Sequence, residues 1–441
     1  MMHNLTTLGR DISRRRFLEL AAAAGIASAA PHAHPLVPIQ ASDPVLDDLA
    51  QRCFLFFWEQ TYPLTGICRD RSHLDASAYS GNQKDMGSTG VTGFALTAMC
   101  IGAERGWVTR KQAMDRVRMT LRSYTNGHVE NIHGWFYHFI DIHTGQRHET
   151  SEVSTSDSIW LLAGALTCRQ YFHDDKEIVD LATTLYSRYD FPWMTNGDGK
   201  LLSHGWRPEG GFIEHRYEKY CQLAAMYLLG IGSPTHPLPP DAWYAWGRDP
   251  NSYQDYHYIG HSVLWTYQYP FAWFDFRGRK ESRGTRIDWW QNAITATRAH
   301  RAWCLNDLSK DFPSYKGDIW GITSSTSAHG YQAWGGPPRH KEIDGSVVPC
   351  AAAGALMMTP DISIPAVHAM KSQYGKKIYG RYGFADAFNP GNGWTTEDVL
   401  GIDVGITLLS AENYRNQSVW NWFMANNEAQ QAFKLAGIDR V

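Results

Sequence analysis

The chain has 441 residues, of which 43% are hydrophobic and 19% are charged, and its formal net charge is −3. This composition is typical of a folded protein, and the length suits one large domain or two ordinary ones. Because binding to nucleic acid or to an anionic membrane surface needs an excess of basic residues, the charge argues against both kinds of partner.

The first 42 residues are predicted to lie outside the folded domain. Residues 13–18 read Ser-Arg-Arg-Arg-Phe-Leu, and an alanine-rich stretch over 21–30 follows, with a small-residue cleavage pattern at 27–29. This arrangement is typical of a twin-arginine export signal. We therefore predict a signal peptide over 1–30, a linker over 31–42 and a folded domain over 43–441, exported by the twin-arginine machinery to the periplasm or out of the cell.

The cysteines and the hydropathy agree with that route. The seven cysteines are an odd number without a CxxC pair, which favours buried free thiols over a disulfide framework. Twin-arginine export carries proteins that have already folded in the reducing cytoplasm, where thiols stay reduced. No other hydrophobic run reaches the length of a spanning helix, so we expect no stable membrane anchor.

Helical patterns dominate the rest of the chain. Apolar residues recur at helical spacing in nine segments, over 45–60, 88–105, 110–124, 155–171, 177–189, 217–229, 288–305, 399–413 and 418–436. Segments rich in Gly, Ala and Leu alternate with more charged ones, as inner and outer helices of a barrel of hairpins would. This alternation predicts an all-α fold, an (α/α)6 barrel, with candidate binding sites on the long loops between helices.

The aromatic content, 13% of the chain with 18 Trp, is high. Flat aromatic rings suit the stacking of sugar rings, although a large helical protein also buries many aromatics in its core. No HExxH, P-loop, GxGxxG or Gly-x-Ser-x-Gly motif is present, so we expect no metal and no cofactor.

Carboxylates in apolar surroundings are the clearest candidates for chemistry, because an unpaired buried carboxylate is costly. Asp157 opens an otherwise apolar helical segment, and Asp386, Asp403 and Asp275 lie among apolar or aromatic neighbours. Three of them also have a structural interpretation: Asp157 and Asp403 suit helix caps, and Asp275 suits an ion pair with Arg277 or Arg279. Glycoside hydrolysis needs two such carboxyl groups that face one cleft.

Nine segments resemble the bacterial glucoamylase-like domain family, which includes the endo-β-1,2-glucanases of glycoside hydrolase family 144. They are FFWEQ (56–60), TGFALTA (92–98), GAERGW (102–107), SEVSTSD (151–157), GSPTHP (232–237), DFRG (275–278), YQAWG (331–335), YGFADAFN (382–389) and LGID (400–403). The resemblance covers roughly residues 46–437. It implies an (α/α)6 barrel, a sugar substrate and inverting carboxylate chemistry, with Glu152 and Asp157 in the cleft.

The chain departs from the family at one triplet. Many members carry Tyr-Asn-Glu or Tyr-Cys-Glu before the Gly-Ser-Pro stop, and the resemblance implies that this Glu is the proton donor of the β-1,2-glucanases. Here the triplet ends in Gln222, whose amide supplies no acidic proton at neutral pH. Glu218, one helical turn earlier if the segment is helical, is a candidate replacement.

The sequence thus predicts a glycoside hydrolase that cleaves a β-glucan or its oligosaccharides, with β-1,2-glucan as the favoured substrate. The alternatives are a catalytically silent glycan-binding protein, favoured by Gln222, and a transferase or lyase on the same barrel. The candidate catalytic residues are Asp157, Glu152, Glu218, Asp386 and Asp403. The candidate substrate-binding residues are Gln222, Tyr220, Trp206, Trp334, Trp394, Asp275 and Arg277.

Overall fold

The computed structural model describes residues 42–340 and 342–441, which all belong to one compact unit. The predicted signal peptide and nearly all of the predicted linker lie outside these residues. None of the helices in the described part of the chain is both long and apolar enough to span a membrane.

The architecture is mostly helical. The α-helices are α1 (Pro44–Gln60), α2 (Thr89–Glu104), α3 (Arg110–Thr125), α4 (Thr155–Tyr171), α5 (Lys176–Arg188), α6 (Phe191–Met194), α7 (Ala224–Ile231), α8 (Tyr269–Trp273), α9 (Trp289–Trp303), α10 (Ser309–Asp311), α11 (Pro349–Ala353), α12 (Pro360–Ile378), α13 (Gly401–Asn416), α14 (Ser418–Phe423) and α15 (Asn427–Ala436). A π-helical turn, Cys304–Leu308, follows α9.

The prediction of a purely helical fold was too simple, because short antiparallel strands connect the helices. They are β1 (Arg71–His73), β2 (Met86–Ser88), β3 (Asn131–Ile132), β4 (Trp135–Phe136), β5 (Phe139–Asp141), β6 (Val153–Ser154), β7 (Gly205–Arg207), β8 (Gly211–Phe212), β9 (Pro250–Tyr253), β10 (Tyr256–Ile259), β11 (Arg279–Glu281), β12 (Ser325–Ser327), β13 (Gly330–Gln332), β14 (Tyr379–Gly380), β15 (Gly383–Phe384), β16 (Asp398–Leu400) and β17 (Ile438–Arg440). Strands β6, β7 and β8 form a three-stranded sheet, and the others pair in twos. Runs this short carry no period-2 pattern long enough to be recognised in a sequence.

Helices α2 and α4 form the centre of the fold, since nearly all of their residues are buried. Glycines allow their backbones to meet: a Cβ on Gly93 would overlap the carbonyl oxygen of Trp160, and one on Gly164 would overlap that of Gly93. The helices that follow them, α3 and α5, bury one face and expose the other. The expected alternation of apolar and amphipathic helices is therefore present here.

The first turns of α2, α4 and α13 lie side by side. Gly90 near the start of α2 abuts Asp157 near the start of α4, and Gly401 at the start of α13 abuts Val91. The three helices therefore run parallel, and a short strand, β2, β6 or β16, leads directly into each of them. The N-terminal ends of these helices consequently present their first-turn side chains to one common region.

Helix α7 begins later than the sequence pattern predicts. The segment 217–223 is not helical: the backbone N–H of Tyr217 donates to the carbonyl of Leu202, and that of Tyr220 donates to the carbonyl of Gly247. These tertiary hydrogen bonds replace the local ones of a helix. Five further helices, α6, α8, α10, α11 and α12, were not predicted, and the segment 418–436 is divided into α14 and α15.

Candidate active site

Two carboxylates occupy equivalent positions at the head of the central helices. Asp157 is the third residue of α4 and Asp403 is the third residue of α13, and both are buried. A helix N-terminus favours negative charge because its first N–H groups and its dipole point at it. The chain accommodates Asp157 by placing Gly90 opposite it, where any Cβ would overlap Oδ1 of the carboxylate.

A histidine joins Asp157 to the second predicted carboxylate of this segment. His138 Nδ1 lies 3.1 Å from Glu152 Oε1, and its Nε2 lies 3.6 Å from Asp157 Oδ1. The Ser154 hydroxyl donates to Asp157 Oδ2 at 2.6 Å, and Arg207 Nη2 lies 3.6 Å from Glu152 Oε2. Glu152, Asp157 and His138 therefore form one charged cluster, which we call the histidine cluster.

The charges of the histidine cluster stabilise one another. Burial disfavours a charged imidazole, but Asp157 and Glu152 outweigh burial and raise the pKa of His138 to about 9. Burial would raise the pKa of Glu152, but the hydrogen bond and the charge of His138 lower it below its usual value. At neutral pH the cluster thus contains a protonated His138 and an ionised Glu152.

The other two predicted carboxylates, Asp386 and Asp403, form a pair that, unlike the histidine cluster, contains no cation. The Asp386 and Asp403 carboxyl groups lie close enough that each acts on the pKa of the other. Asp386 Oδ1 and Asp403 Oδ2 are buried without a hydrogen-bond partner, while the Thr326 N–H donates to Asp386 Oδ2 at 2.7 Å. We call these two residues the acid pair.

The acid pair retains a proton. Burial, followed by the repulsion between the two groups, raises the pKa of Asp403 well above its usual value, and burial also raises that of Asp386. Two carboxylates in contact cannot both ionise at low cost, so the proton belongs to the pair as a unit. The buried Tyr269 hydroxyl donates to Asp403 Oδ1 at 3.5 Å.

Asp70 lies near both the histidine cluster and the acid pair, and its negative charge raises the pKa of His138 and that of Asp403. Arg71 pairs with Asp70 at 2.9 Å and with Asp398 at 3.5 Å, which ties this neighbour to the strand that leads into α13. The histidine cluster and the acid pair therefore border one region, and together they place proton-holding and proton-accepting groups around it.

Two of the predicted tryptophans are accessible near this region. Trp206 is half-buried on β7, directly opposite Val153 of β6, which leads into α4. Trp394 is also half-buried, and its neighbours Gly393 and Thr395 line an open groove of about 780 Å³. His73, which also lines this groove, lies 3.6 Å from Asp398. The groove thus adjoins the residues that surround Asp70.

Four predicted residues lie in places unsuited to their assigned role. Trp334 is only 4% exposed and offers no open face, and Tyr220 is stacked in the core between Tyr267 and Trp289, with ring centroids 5.1 and 5.3 Å away. Packing inside the protein covers both rings, so the structure gives no support to Trp334 as a sugar platform or to Tyr220 as a substrate-binding residue. Glu218 is exposed and shares no helix with Gln222, which is half-buried, so the argument from helical spacing fails for both.

Asp275 and Arg277 lie at the opposite end of the helices. Their side chains pair at 2.7 Å, and Arg277 also donates to Gln417, the residue that follows α13, and covers the Trp420 ring at 3.9 Å. Helix α13 is about 24 Å long, since each of its 16 residues rises about 1.5 Å. The ion pair that was the alternative interpretation of Asp275 is thus present, about one helix length away from the carboxylates at the N-terminal ends.

Three residues of this region were missed by the sequence analysis. His138 and Asp70 stand in short loop segments without a helical pattern, and only their tertiary neighbours show their role. Tyr331 belongs to the YQAWG segment; its side chain is 54% exposed although Asp403, Asp386 and Asp70 lie near its hydroxyl. In the part of the chain that the structure describes, no three His, Cys, Asp or Glu side chains are arranged to hold a metal ion.

Comparison with known sequences supports the resemblance. Residues 214–427 match the family model described as "Putative glucoamylase". An exo β-1,2-glucooligosaccharide sophorohydrolase (non-reducing end) from Parabacteroides distasonis is 25% identical over 428 residues. The match covers 88% of this chain and 57% of that relative, so the chain spans little more than half of the relative's length.

Solved structures share the fold. An endo-β-1,2-glucanase from Chitinophaga pinensis, in complex with sophorotriose and glucose, has a TM-score of 0.82 at 26% identity, over 90% of this chain and 99% of that chain. A mutant endo-β-1,2-glucanase from Talaromyces funiculosus, in complex with β-1,2-glucan, has a TM-score of 0.64 at 12% identity, over 90% of each chain, and is similar in fold alone. The predicted resemblance is thus confirmed: nearly half of the chain matches the glucoamylase-like family model, and β-1,2-glucanases are among its structural neighbours.

Proposed function

We propose that this protein is a glycoside hydrolase that cleaves β-1,2-linked glucan or its oligosaccharides. The observation that carries the proposal is that two groups with different protonation lie near the N-terminal ends of α4 and α13: the acid pair holds a proton, while the histidine cluster carries charged groups. Glycoside hydrolysis needs such a division, with one carboxylic acid and one carboxylate. The β-1,2 linkage is taken from the activities of the relatives.

The acid pair is the proton donor in this proposal. Asp403 is 7% exposed and Asp386 is 3% exposed, so Asp403 is the member that delivers the proton to the glycosidic oxygen. When that bond breaks, the remaining negative charge stays on the pair. Loss of Glu at position 222 is then tolerated, because the donor resides on α13 and not in the segment before α7.

Asp157 or Glu152 acts as the base. Each carboxylate has part of its side chain exposed, 12% for Asp157 and 22% for Glu152, and His138 lowers the pKa of Glu152. The base removes a proton from water as the water oxygen attacks the anomeric carbon on the face opposite the leaving group, which inverts the configuration. A water molecule fits between acid and base when their carboxyl groups are roughly 6.5–9.5 Å apart.

The groove beside Trp394 would hold further sugar units. An open groove of about 780 Å³ exceeds the volume of a single sugar ring and adjoins an aromatic side chain that is half exposed. Trp206 would serve as a second platform on the side of the histidine cluster. Sugar rings present an apolar face to such side chains.

The scaffold and the cellular location belong to the same proposal. Parallel packing of α2, α4 and α13, each next to a more amphipathic helix, supports an (α/α)6 barrel with the active site at the N-terminal ends of its inner helices. The twin-arginine pattern over 1–30 supports export, so the substrate would be met in the periplasm or outside the cell.

The test is incubation of the purified mature protein with linear β-1,2-glucan, other β-glucans and α-glucans, followed by analysis of product mass and anomeric form. Asp403→Asn and Arg277→Ala serve as a matched pair: the first should lose activity and the second should keep it. We expect short oligosaccharides of inverted anomer from β-1,2-glucan alone.

A silent glycan-binding protein is the second candidate, favoured by Gln222 where an acidic residue is typical. Binding of β-1,2-glucan measured by calorimetry, without products from any polymer, would establish this alternative. An unsaturated product that absorbs ultraviolet light would indicate a lyase, and products longer than the substrate would indicate a transferase.

A further inference from the structure

Building on the proposed hydrolase function, we propose that His138 is a positioning residue: its imidazolium donates from Nδ1 to Glu152, faces Asp157 with Nε2, and thereby holds the two carboxylates in place as the basic side of the active site. His138 is not itself assigned a proton transfer to substrate. Its role is exerted through the two carboxylates that it joins.

The contacts of the ring favour a proton on both nitrogens. A carboxylate oxygen lies 3.1 Å from Nδ1 and another lies 3.6 Å from Nε2. A neutral imidazole carries only one N–H, so one of these contacts would then bring two acceptors together. With both nitrogens protonated, each carboxylate faces a donor.

The backbone holds the ring where these contacts are made. The His138 N–H donates to the Glu152 carbonyl at 2.8 Å, and the His138 carbonyl accepts from the N–H of Thr89, the first residue of α2, at 3.0 Å. The ring stacks on Phe139 with centroids 3.8 Å apart. His138 is thus pinned both to the segment that carries Glu152 and to the helix that faces Asp157.

The surrounding charges favour the imidazolium. Glu152 and Asp157 face the ring, and Asp70 adds negative charge from the loop before β1. Arg207 is the opposing cation, but it lies on the far oxygen of Glu152 at 3.6 Å. Tyr217, which lies near both cluster carboxylates, stays neutral because burial raises its pKa. Negative charge therefore predominates around His138.

Removal of the positive charge of His138 would change the pKa of the catalytic base as well as its position. Glu152 and Asp157 would lose their shared cation and would repel each other, so the pKa of the base would rise. The acidic limb of the kcat/KM profile, where the base becomes protonated, would then move to higher pH. A residue that merely supports the fold would lower activity by the same factor at every pH.

The experiment compares pH profiles of kcat/KM on β-1,2-glucan for the wild type, His138→Gln and His143→Gln. His143 is a suitable control because its Nε2 also faces a carboxylate, Asp85 at 3.1 Å, on the exposed surface. We expect the acidic limb of His138→Gln to move upward by about one pH unit or more, and that of His143→Gln to coincide with the wild type. A His138→Gln profile with an unshifted limb would overturn the proposal, whatever its height.

A second measurement needs no activity, so it separates failure of this proposal from failure of the proposed function. In the nitrogen-15-labelled wild type, the imidazole signals that are missing from His138→Gln belong to His138. We expect two protonated ring nitrogens at pH 7 and a titration near pH 9. A singly protonated ring at pH 7 would overturn the proposal even if the wild type is an active hydrolase. A doubly protonated ring in a protein that cleaves no glucan would support the charge assignment and remove the hydrolase function.

Discussion

Gly90→Ala tests whether the packing of α2 against α4 fixes the position of the Asp157 carboxylate in the candidate active site. The added Cβ would overlap Asp157 Oδ1 and would lie 3.3 Å from Asp157 Cγ. No backbone atom is among the three nearest, so the overlap can be relieved by rotation of the carboxylate. The backbone of α2 and α4 can therefore keep its place while Asp157 moves.

The required movement can be estimated from ordinary contact distances. The carboxylate oxygen must withdraw by about 1 Å to restore van der Waals contact with a carbon atom. Asp157 is held by Ser154 at 2.6 Å and faces His138 at 3.6 Å, so this movement changes both contacts. A displacement of about 1 Å in an active site can cost about 100-fold in rate.

Stability should change far less than activity. Insertion of a methyl group into a packed core costs about 1–3 kcal/mol, and replacement of Gly by Ala within a helix returns up to about 1 kcal/mol. We therefore expect kcat on β-1,2-glucan to fall about 100-fold, while the free energy of unfolding falls by about 0–2 kcal/mol.

The assay measures kcat and KM for the wild type, Gly90→Ala and Gly375→Ala, together with urea unfolding of each. Gly375 is the control because it lies in α12, where a Cβ meets its nearest neighbour at an ordinary 3.7 Å. If Gly90→Ala kept the wild-type kcat while folded, the placement of Asp157 by the glycine would be refuted, and with it the role of Asp157 in the site.

Three further results are expected. Asp403→Asn should abolish hydrolysis yet raise the melting temperature at pH 8, because the amide cannot ionise beside Asp386. A carboxyl whose pKa is raised on folding contributes stability that is present below its unfolded pKa and is lost as pH rises through the folded pKa. An unchanged melting temperature of the wild type between pH 4 and 8 would contradict this prediction. Arg277→Ala should leave kcat/KM unchanged and lower the free energy of unfolding by about 1–2 kcal/mol, because the guanidinium covers Trp420 far from the site. A loss of activity at unchanged stability would instead assign Arg277 to substrate binding. All seven cysteines are free, and six are buried while Cys221 is half-buried with its pKa raised by burial to about 12, so a thiol reagent should label the native protein only slowly and label all seven thiols after unfolding.

Local pattern was enough to predict most of the long helices, α12 excepted, and the carboxylates at the heads of α4 and α13. The bounds predicted for 155–171 coincide with α4, because its apolar residues follow Ser154, a cap whose hydroxyl accepts from the Asp157 N–H. The candidate carboxylates Asp157, Asp386 and Asp403 were found because a carboxylate among apolar residues is costly and conspicuous. These features depend on neighbours within one or two helical turns, which a sequence displays directly.

Contacts between distant segments decided the rest. The segment 217–223 shows helical spacing, yet its N–H groups donate to Leu202 and Gly247, so the relation assumed between Glu218 and Gln222 does not exist. His138 is 14 residues from Glu152 and looks like any loop histidine in the sequence.

Proton states likewise depend on tertiary contacts. Asp386 lies in the loop after β15 and Asp403 lies on α13, and only their proximity across the fold makes them a pair that holds a proton. Apolar neighbours in the sequence identified Asp157, Asp386 and Asp403 as buried, but whether a buried carboxylate is charged depends on the groups it faces, which come from distant parts of the chain.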